Sequence, residues 1–476
     1  MTQVFNPYLP SWEYVPDGEP HVFGDRVYLY GSHDKFNGST FCMNDYVCWS
    51  APVDDLKSWR YEGVIWKTCD DPVKTKGIFG QLYAPDVVRG ADGRFYLYYF
   101  KGADGTIGVA VCDRPAGRYR YLGRVRYPDG TPIGRKGEKD LHQFDPAIFR
   151  DDDGKIYLYT GFAPKRPNVF TRFRPVNRNG AMGAQLEDDM LTVKLPLARI
   201  AKSQHCSENT SYEGHEFFEA SSMRKFGDKY YFIYSSVNGH ELCYAMGESP
   251  LGNFEYKGTL VSIGDLGIAE KALNYTGNTH GSIERINGKY YVFYHRQTNR
   301  HCYSRQACAE EIFMNKDGTF RQAEITSCGL NGGALDGVGK YGAYVACNLY
   351  SEKGSKFYTC KTPAGRHPYF TQSGKDREDT PDQYIANFNH GAVAGFKYFN
   401  FENTNAISIE ICGGAKGVMI VSDGEKTVAE IPLSPCKRRT QFCGALNVGR
   451  GVKPLYFTFR GMGRFDFIGF KLKKET

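Results

Sequence analysis

One β-hairpin pattern recurs along the first two thirds of this chain, and it constrains the fold more than any other feature. The copy DPAIFRDDDGKIYLYTG, at residues 145–161, has an acidic residue at its head, a short apolar run, a turn rich in Asp and Gly, and a run of alternating apolar and aromatic residues. This order is typical of a hairpin with a carboxylate at its mouth. Four further copies lie at residues 19–32, 84–100, 219–236 and 280–296.

The spacing of the five copies predicts a repeat architecture. Their first residues stand about 60 to 75 positions apart, which suits a propeller blade of four antiparallel strands with long loops. An aromatic content of 15% and 54 Gly residues favour short strands joined by tight turns. We therefore predict an all-β chain in which residues 1–327 form a five-bladed β-propeller. A pair of unrelated β-sandwiches is the alternative, but it leaves the common register of the copies unexplained.

The character of the sequence changes at Cys328, where the Gly-rich stretch SCGLNGGALDGVGKYGAY ends the repeats. The remaining chain contains strand-like segments between Gly turns, such as AISIEICGG, KGVMIVSDG and PLYFTFRGMG, without the hairpin pattern. These segments predict a second domain, a β-sandwich of the jelly-roll type, over residues 328–476.

Composition excludes several classes of partner. The net charge of +7 comes from 60 basic and 53 acidic residues without a basic tract, so no nucleic-acid partner is expected. No apolar run approaches the ~18 residues that a membrane span needs. The N-terminal sequence MTQVFNPYLPSW has no basic segment followed by an apolar one, so we expect a cytoplasmic protein unless a leader is missing from the sequence. The oligomeric state stays open.

The heads of the five copies are the first candidates for a functional site. In a propeller the innermost strand of every blade faces the central axis, so residues at equivalent places converge. That place holds Glu19, Ala84, Asp145, Glu219 and His280. A single acidic residue there often caps a turn, but three in register favour a shared pocket. Converging carboxylates suit glycoside hydrolysis, because one must donate a proton while another stays ionised to activate water.

Several motifs in this region resemble glycoside hydrolase family 43, whose members are five-bladed propellers that act on arabinose- and xylose-containing glycans. The motifs are DP-apolar-DDDGK-YLY from Asp145, APDV with Asp86, EASS from Glu219, HGS from His280, and YHRQ at residues 294–297. The resemblance covers roughly residues 5–327. It implies that Glu219 is the general acid and that Asp145 tunes and positions it, and it makes Asp86 a candidate for substrate binding.

The general base is where this chain departs from the family pattern. The family usually has Asp-Pro at the head of the first repeat, whereas this chain has Glu19-Pro20. Asp17 lies two residues upstream and would face the same side of an extended strand. We prefer Glu19, because it keeps its register with Pro20, and Asp17 is the alternative. Loss of the base would leave an inactive glycan-binding propeller, which is the competing function.

The resemblance also assigns roles to two basic residues. His280 resembles the family's axial histidine, which often lies beside a calcium ion; a hydrogen-bonded core histidine is the alternative reading, and Ca²⁺ prefers oxygen ligands. Arg296 resembles an arginine that contacts the substrate, a role that suits its fork of donors. The hydrolysis itself requires no cofactor.

Four further residues are candidates for the walls of the pocket. Trp12 and Trp49 offer flat apolar faces of the kind on which sugar C–H groups stack. His33 and Asp34 follow the predicted inner hairpin of the first blade and would lie near the pocket rim.

The C-terminal region resembles carbohydrate-binding module family 6, through HGAVAGFKYFNF at residues 390–401 and PLYFTFRGMGRFDFIGFKL at residues 454–472. That family binds sugars with aromatic platforms in its loops. No Trp follows Trp66 in this chain, so Tyr or Phe would have to take that role.

Together these features predict an inverting exo-glycosidase that removes terminal α-L-arabinofuranosyl or β-D-xylosyl units from plant-derived oligosaccharides. Its acid and base should stand roughly 6.5–9.5 Å apart, which leaves room for water.

Overall fold

The computed structural model describes residues 3–74, 80–102, 105–135, 140, 143–168, 178–352, 354–355, 357–358, 367–378 and 382–475. Regular structure in these ranges is almost entirely β, with short 3₁₀ helices at Thr68–Asp70, Gly329–Asn331 and Ala343–Val345. The all-β prediction is therefore confirmed. None of the helices in the described ranges is long and apolar enough to cross a membrane.

Five small antiparallel sheets follow one another in the described part of residues 19–312. The first contains β1 (Glu19–Phe23), β2 (Arg26–Tyr30), β3 (Tyr46–Pro52) and β4 (Arg60–Trp66). The second contains β5 (Leu82–Arg89), β6 (Phe95–Lys101), β7 (Ile107–Cys112) and β8 (Arg120–Arg124). The third contains β9 (Ala147–Arg150), β10 (Ile156–Thr160), β11 (Ala181–Gln185) and β12 (Ala198–Ala201). The fourth contains β13 (Phe217–Phe226), β14 (Lys229–Ser236), β15 (Glu241–Gly247) and β16 (Glu255–Ser262), and the fifth contains β17 (Ser282–Ile286), β18 (Lys289–Thr298) and β19 (His301–Ile312).

The recurrent hairpin forms the first two strands of each sheet. In the third sheet the Asp151 amide donates to the Lys155 carbonyl at 2.9 Å, and Gly154 takes a left-handed φ of 83° that closes the turn. Aromatic residues on the second strand, such as Tyr157 and Tyr159, are buried between sheets. The hairpin pattern therefore encodes both the turn and the packing surface.

Apolar side chains fill the space between each sheet and the next, and the fifth sheet packs on the first in the same way. Representative pairs from the five clusters are Tyr30 with Leu97, Tyr98 with Leu158, Tyr159 with Phe232, Ile233 with Val292, and Phe293 with Leu29. A parallel bridge between Gly18 and Gly281 also joins the two ends of the series. The heads of the five hairpins consequently surround one axis.

The rest of the chain forms a β-sandwich of two six-stranded sheets. Its strands are β20 (Leu335–Asp336), β21 (Gly339–Gly342), β22 (Asn348–Ser351), β23 (Tyr369–Gln372), β24 (Gln383–Asn389), β25 (Ala392–Phe401), β26 (Ala406–Gly413), β27 (Lys416–Ser422), β28 (Thr427–Leu433), β29 (Cys436–Ala445), β30 (Gly451–Met462) and β31 (Arg464–Lys473). One sheet has the order β20-β25-β30-β27-β28, with β22 also on β25; the other has the order β23-β24-β31-β26-β29, with β21 also on β31. Phe396, Phe457, Phe467 and Phe470 pack between them.

The sandwich docks on the fifth sheet and its neighbour through buried polar contacts. The Lys397 ammonium lies 3.1 Å from the Asp265 carboxylate and 2.9 Å from that of Glu324. Arg296 donates to the Tyr344 carbonyl at 2.8 Å and covers the ring of Phe370, with its guanidinium carbon 4.0 Å from the ring centroid. These buried charges fix the sandwich in one position relative to the ring of sheets.

Candidate active site

Three polar residues stand at the same height around the axis. Asp17, Asp145 and His280 each lie two positions before the first strand of their sheet, β1, β9 and β17 respectively. Asp17 and Asp145 both have a left-handed backbone, with φ of 57° and 44°, which turns their side chains as the chain enters the strand. Glu219 reaches the same level from a bulge in β13, beside Ala220 at φ 68°.

These residues line one cavity of about 220 Å³. Its polar lining comprises Asp17, Asp145, Asn168, Glu219, Asn278, His280 and Arg305, and its aromatic lining comprises Phe41, Tyr83, Phe144, Phe162 and Phe218. The structure thus brings three carboxylates together, as the sequence predicted. The member from the first sheet is Asp17, whereas the sequence analysis preferred Glu19.

Asp17 is an ionised carboxylate held by a buried arginine. Arg305 donates to Asp17 Oδ1 at 2.7 Å, and His295 Nδ1 lies 3.4 Å from the same oxygen. Burial raises the pKa of Asp17, but Arg305, together with His280, His295 and a hydrogen bond from Ser32, more than offsets this effect, and the pKa falls below its ordinary value. Asp17 can therefore hold a negative charge although its side chain is buried.

Glu219 has the opposite environment. Burial raises its pKa to about 8, and the negative charge of Asp17 adds to this, while Arg305 opposes it. Asp145 is also raised well above its ordinary pKa, by burial and by the neighbouring Glu219 and Asp17, although the Ala220 amide hydrogen bonds its carboxylate. Both carboxyls therefore favour the protonated form, and near neutral pH Glu219 holds a proton.

Arg305 is the main functional residue that sequence reasoning missed. Besides Asp17, its guanidinium binds both oxygens of Asp34, at 2.8 and 3.0 Å, and its backbone amide donates to Asp34 as well. Asp34 was predicted to lie at the pocket rim; it is fully buried and holds Arg305 instead. A signal was present, because Arg305 stands inside the otherwise weakly charged strand segment HCYSRQACA of β19.

His280 lies among the carboxylates as predicted, and it is neutral. Its Nδ1 is 3.6 Å from Asp145 Oδ2 and 4.0 Å from Asp17 Oδ1, and its Nε2 is 3.9 Å from Glu19 Oε1. Burial lowers the pKa of His280 to about 4, with Arg305 contributing in the same direction. At neutral pH the imidazole of His280 is therefore uncharged.

Glu19 and Asp86 lie deeper along the axis than Asp17 and Asp145, and they do not line the cavity. Each pairs with the final Tyr of the YLY motif in its own sheet, Glu19 with Tyr30 and Asp86 with Tyr98. Glu19 accepts hydrogen bonds from Ser222 and Arg224, both at 3.0 Å. Burial raises the pKa of Glu19 to about 8 in spite of Arg224. The preference for Glu19 as the base does not fit this placement.

Asp86 was predicted to bind substrate, but its carboxylate contacts other groups of the protein. It lies 2.6 Å from His21 Nε2 and accepts the Ile148 amide at 2.8 Å. It is fully buried, so its position corrects that prediction.

The remaining predicted substrate residues also lie away from the cavity lining. Arg296 is committed to the contact with the sandwich described above. His33 and Trp49 both bind the buried Glu13 carboxylate, at 2.9 and 3.0 Å. Trp12 packs near Trp49, with ring centroids 6.0 Å apart. The predicted tryptophan wall is therefore replaced by Phe and Tyr residues from several sheets, which no local motif distinguishes from core aromatics.

Comparison with known proteins gives a consistent picture. The family model for glycosyl hydrolases family 43 matches residues 13–320. A xylosidase/arabinosidase of Thermoclostridium stercorarium is 49% identical over 99% of both chains. A solved family 43 β-xylosidase/α-arabinofuranosidase from a compost microbial metagenome is 29% identical over 65% of this chain and 94% of its own, with a TM-score of 0.52.

Some of the similar solved structures cover nearly the whole of this chain. The arabinoxylan arabinofuranohydrolase of Bacillus subtilis covers 98% of this chain and 97% of its own, at 20% identity and a TM-score of 0.51. At that identity the match concerns the fold alone, a β-propeller followed by a β-sandwich.

The charge distribution in the cavity yields a first prediction. We expect the carboxyl carbon of Glu219 to titrate near pH 8 in a ¹³C NMR experiment, assigned by its absence in Glu219→Gln. Asp17→Asn removes the neighbouring negative charge and should lower that midpoint, whereas Asp382→Asn, in the sandwich, should leave it unchanged. A midpoint near the ordinary value of about 4.3 would contradict the proposed charge distribution.

Proposed function

Because this chain belongs to glycosyl hydrolase family 43, we propose that it removes single β-D-xylosyl or α-L-arabinofuranosyl units from the ends of plant-derived oligosaccharides by inverting hydrolysis. One arrangement supports the mechanism: Asp17, whose pKa is lowered, and Glu219, whose pKa is raised to about 8, line the same cavity.

The size of the cavity supports attack on a terminal sugar. Pockets for drug-sized ligands measure roughly 300–1,000 Å³, and this one measures about 220 Å³. A single pentose unit suits that volume better than an internal stretch of polymer. Its C–H faces would lie against aromatic rings such as Phe41 and Phe144.

The proposed reaction is one displacement. Asp17 accepts a proton from a water molecule whose oxygen attacks the anomeric carbon. Glu219 gives its proton to the glycosidic oxygen as the bond from that oxygen to the anomeric carbon breaks. Arg305 orients Asp17 and helps to keep it ionised. Asp145 accepts the amide of Ala220, the residue after Glu219, and so positions the acid.

A glycan-binding propeller without activity is disfavoured by the same geometry. That alternative required the loss of the base, and a carboxylate with a lowered pKa, Asp17, lines the cavity and supports retention of a base.

We further propose that the five sheets are five blades of one propeller with a domain boundary near residues 327–328, and that the sandwich is of the carbohydrate-binding module family 6 type. The apolar packing of the fifth sheet on the first supports the blade count. Residues 327–328 fall between the end of β19 and the start of β20, which supports the boundary. A crystal structure with a bound oligosaccharide would test these assignments.

Activity measurements separate the two candidate bases. With 4-nitrophenyl β-D-xyloside and 4-nitrophenyl α-L-arabinofuranoside, Asp17→Asn and Glu219→Gln should each lower kcat by roughly 10²–10⁴-fold, the usual contribution of general acid–base groups. Glu19→Gln is the matched control, since it changes a buried carboxylate outside the cavity, and its effect should be much smaller. If Glu19→Gln abolished release while Asp17→Asn retained it, the assignment would be wrong.

The residues around His280 also fit a calcium ion. Glu19 Oε1 is buried and has no hydrogen-bond donor among the described residues, and it lies 3.9 Å from His280 Nε2. A carboxylate oxygen and an imidazole nitrogen at this spacing could share a cation whose other ligands are waters. Such an ion would supply positive charge to the axis of the propeller, without a part in proton transfer.

The calcium proposal predicts a metal-dependent stability. The temperature of unfolding should fall when a chelator is added and recover with excess Ca²⁺ in the wild type. Glu19→Gln should show a weaker response, because it removes one charged ligand. The chelated protein should be shown by elemental analysis to retain no calcium. If it then melted at the same temperature as the protein with excess Ca²⁺, a calcium site here would be refuted.

A further inference from the structure

The sandwich reaches the wall of the catalytic cavity through one short segment. Residues 372–378 follow β23, and they lie against residues 35–45, which connect β2 to β3 in the first sheet. We call residues 35–45 the wall loop, because its Phe41 lines the cavity.

Asp376 of the sandwich joins the two ends of the wall loop. Its Oδ1 accepts the Phe36 amide at 2.7 Å, and its Oδ2 accepts a hydrogen bond from the Asn44 side chain at 3.1 Å. The same Asn44 amide group donates to the Asp34 carbonyl at 2.9 Å. One carboxylate thus fixes both the start and the finish of the loop.

Neighbouring sandwich residues reinforce this contact. Arg377 donates to the buried Glu13 carboxylate at 2.8 Å, and Gln372 accepts from the Tyr14 hydroxyl at 2.6 Å. Tyr14 stacks on Phe36, with ring centroids 6.0 Å apart. Charge-assisted hydrogen bonds of this kind are stronger than neutral ones and fix geometry as well as energy.

Other contacts also hold the wall loop. Ser304 bonds the Lys35 carbonyl and the Asn37 amide, and the Cys42 amide donates to Asp34. The Phe41 centroid lies 4.9 Å from that of Tyr303 and 5.1 Å from the Arg305 guanidinium carbon, and the ring packs on an apolar cluster that includes Tyr83. The position of this ring is therefore set jointly by these contacts and by the loop's ends.

We propose that Asp376 is a positioning residue, through which the sandwich holds Phe41 against the sugar in the cavity and so sets substrate affinity. This inference rests on the proposed function for the identity of the ligand. Phe41 takes no part in proton transfer, so a displaced ring removes contacts made equally in the ground state and the transition state. Loss of such contacts raises KM and leaves kcat almost unchanged.

The test compares Asp376→Ala with two matched variants in the full-length protein. With 4-nitrophenyl β-D-xyloside and 4-nitrophenyl α-L-arabinofuranoside, Asp376→Ala should raise KM roughly tenfold and change kcat less than about twofold. Asp376→Asn keeps an oxygen for the Phe36 amide and should recover part of the loss. Asp382→Ala removes an exposed carboxylate of the same sandwich, paired with Arg439 at 2.7 Å, and should leave KM unchanged.

Hydrogen exchange provides a readout that does not depend on turnover. The Phe36 amide should be protected in the wild type and in Asp382→Ala, and should exchange faster in Asp376→Ala. An unchanged KM in a folded Asp376→Ala variant would overturn the proposal, whether or not kcat falls.

The two proposals fail in different ways. A wild-type protein that released nitrophenol from neither glycoside would refute the proposed function. The positioning role would then be measured by calorimetric titration with D-xylose and L-arabinose, where Asp376→Ala should bind roughly tenfold more weakly than the wild type. Equal dissociation constants would overturn it.

Discussion

One buried guanidinium determines how the carboxylates of this protein divide their roles. Arg305 is almost completely excluded from water, and it binds Asp17 and Asp34 at once. That positive charge opposes the rise in the pKa of Asp17 that burial causes. With it, Asp17 stays ionised, and its charge raises the pKa of Glu219. Acid and base are thus set apart by a single ion-pair network.

The network also explains why the chemistry depends on the whole ring of sheets. Arg305 lies on β19, the last strand of the fifth sheet, while Asp17 precedes the first strand of the first sheet, 288 residues earlier. The two meet only because the fifth sheet packs on the first. The charge distribution of the cavity therefore forms where the fifth sheet packs on the first.

The repeated hairpin was enough to predict the all-β fold and to identify Asp145 and Glu219 as members of one site. It failed to select Asp17, because the turns differ in length. Only Gly24 and Asp25 separate the strands of the first hairpin, whereas residues 151–155 separate those of the third. The match of Glu19-Pro20 with Asp145-Pro146 therefore placed Glu19 level with Asp145. Strand pairing shows that Glu19 lies deeper.

Long-range contacts account for the other misses. Arg305 can be recognised only from the partners that the fold brings to it. Arg296 lies in a more conspicuous sequence motif, YHRQ, but its role is structural, because it bonds Gln306 and is covered by the sandwich. Aromatic wall residues such as Phe41 and Phe218 come from different sheets, and the sequence pattern around them matches that of ordinary core positions.

The stereochemistry of the first product tests the central claim most directly, namely that Asp17 activates a water molecule for a single displacement. Hydrolysis of 4-nitrophenyl β-D-xyloside, or of the arabinofuranoside if that is the better substrate, can be followed by ¹H NMR from the first minutes, before mutarotation equilibrates the anomers. The account predicts that the anomer of inverted configuration, α-D-xylose from the β-xyloside, appears first. Initial release of the retained anomer would require a covalent intermediate and would contradict the role assigned to Asp17.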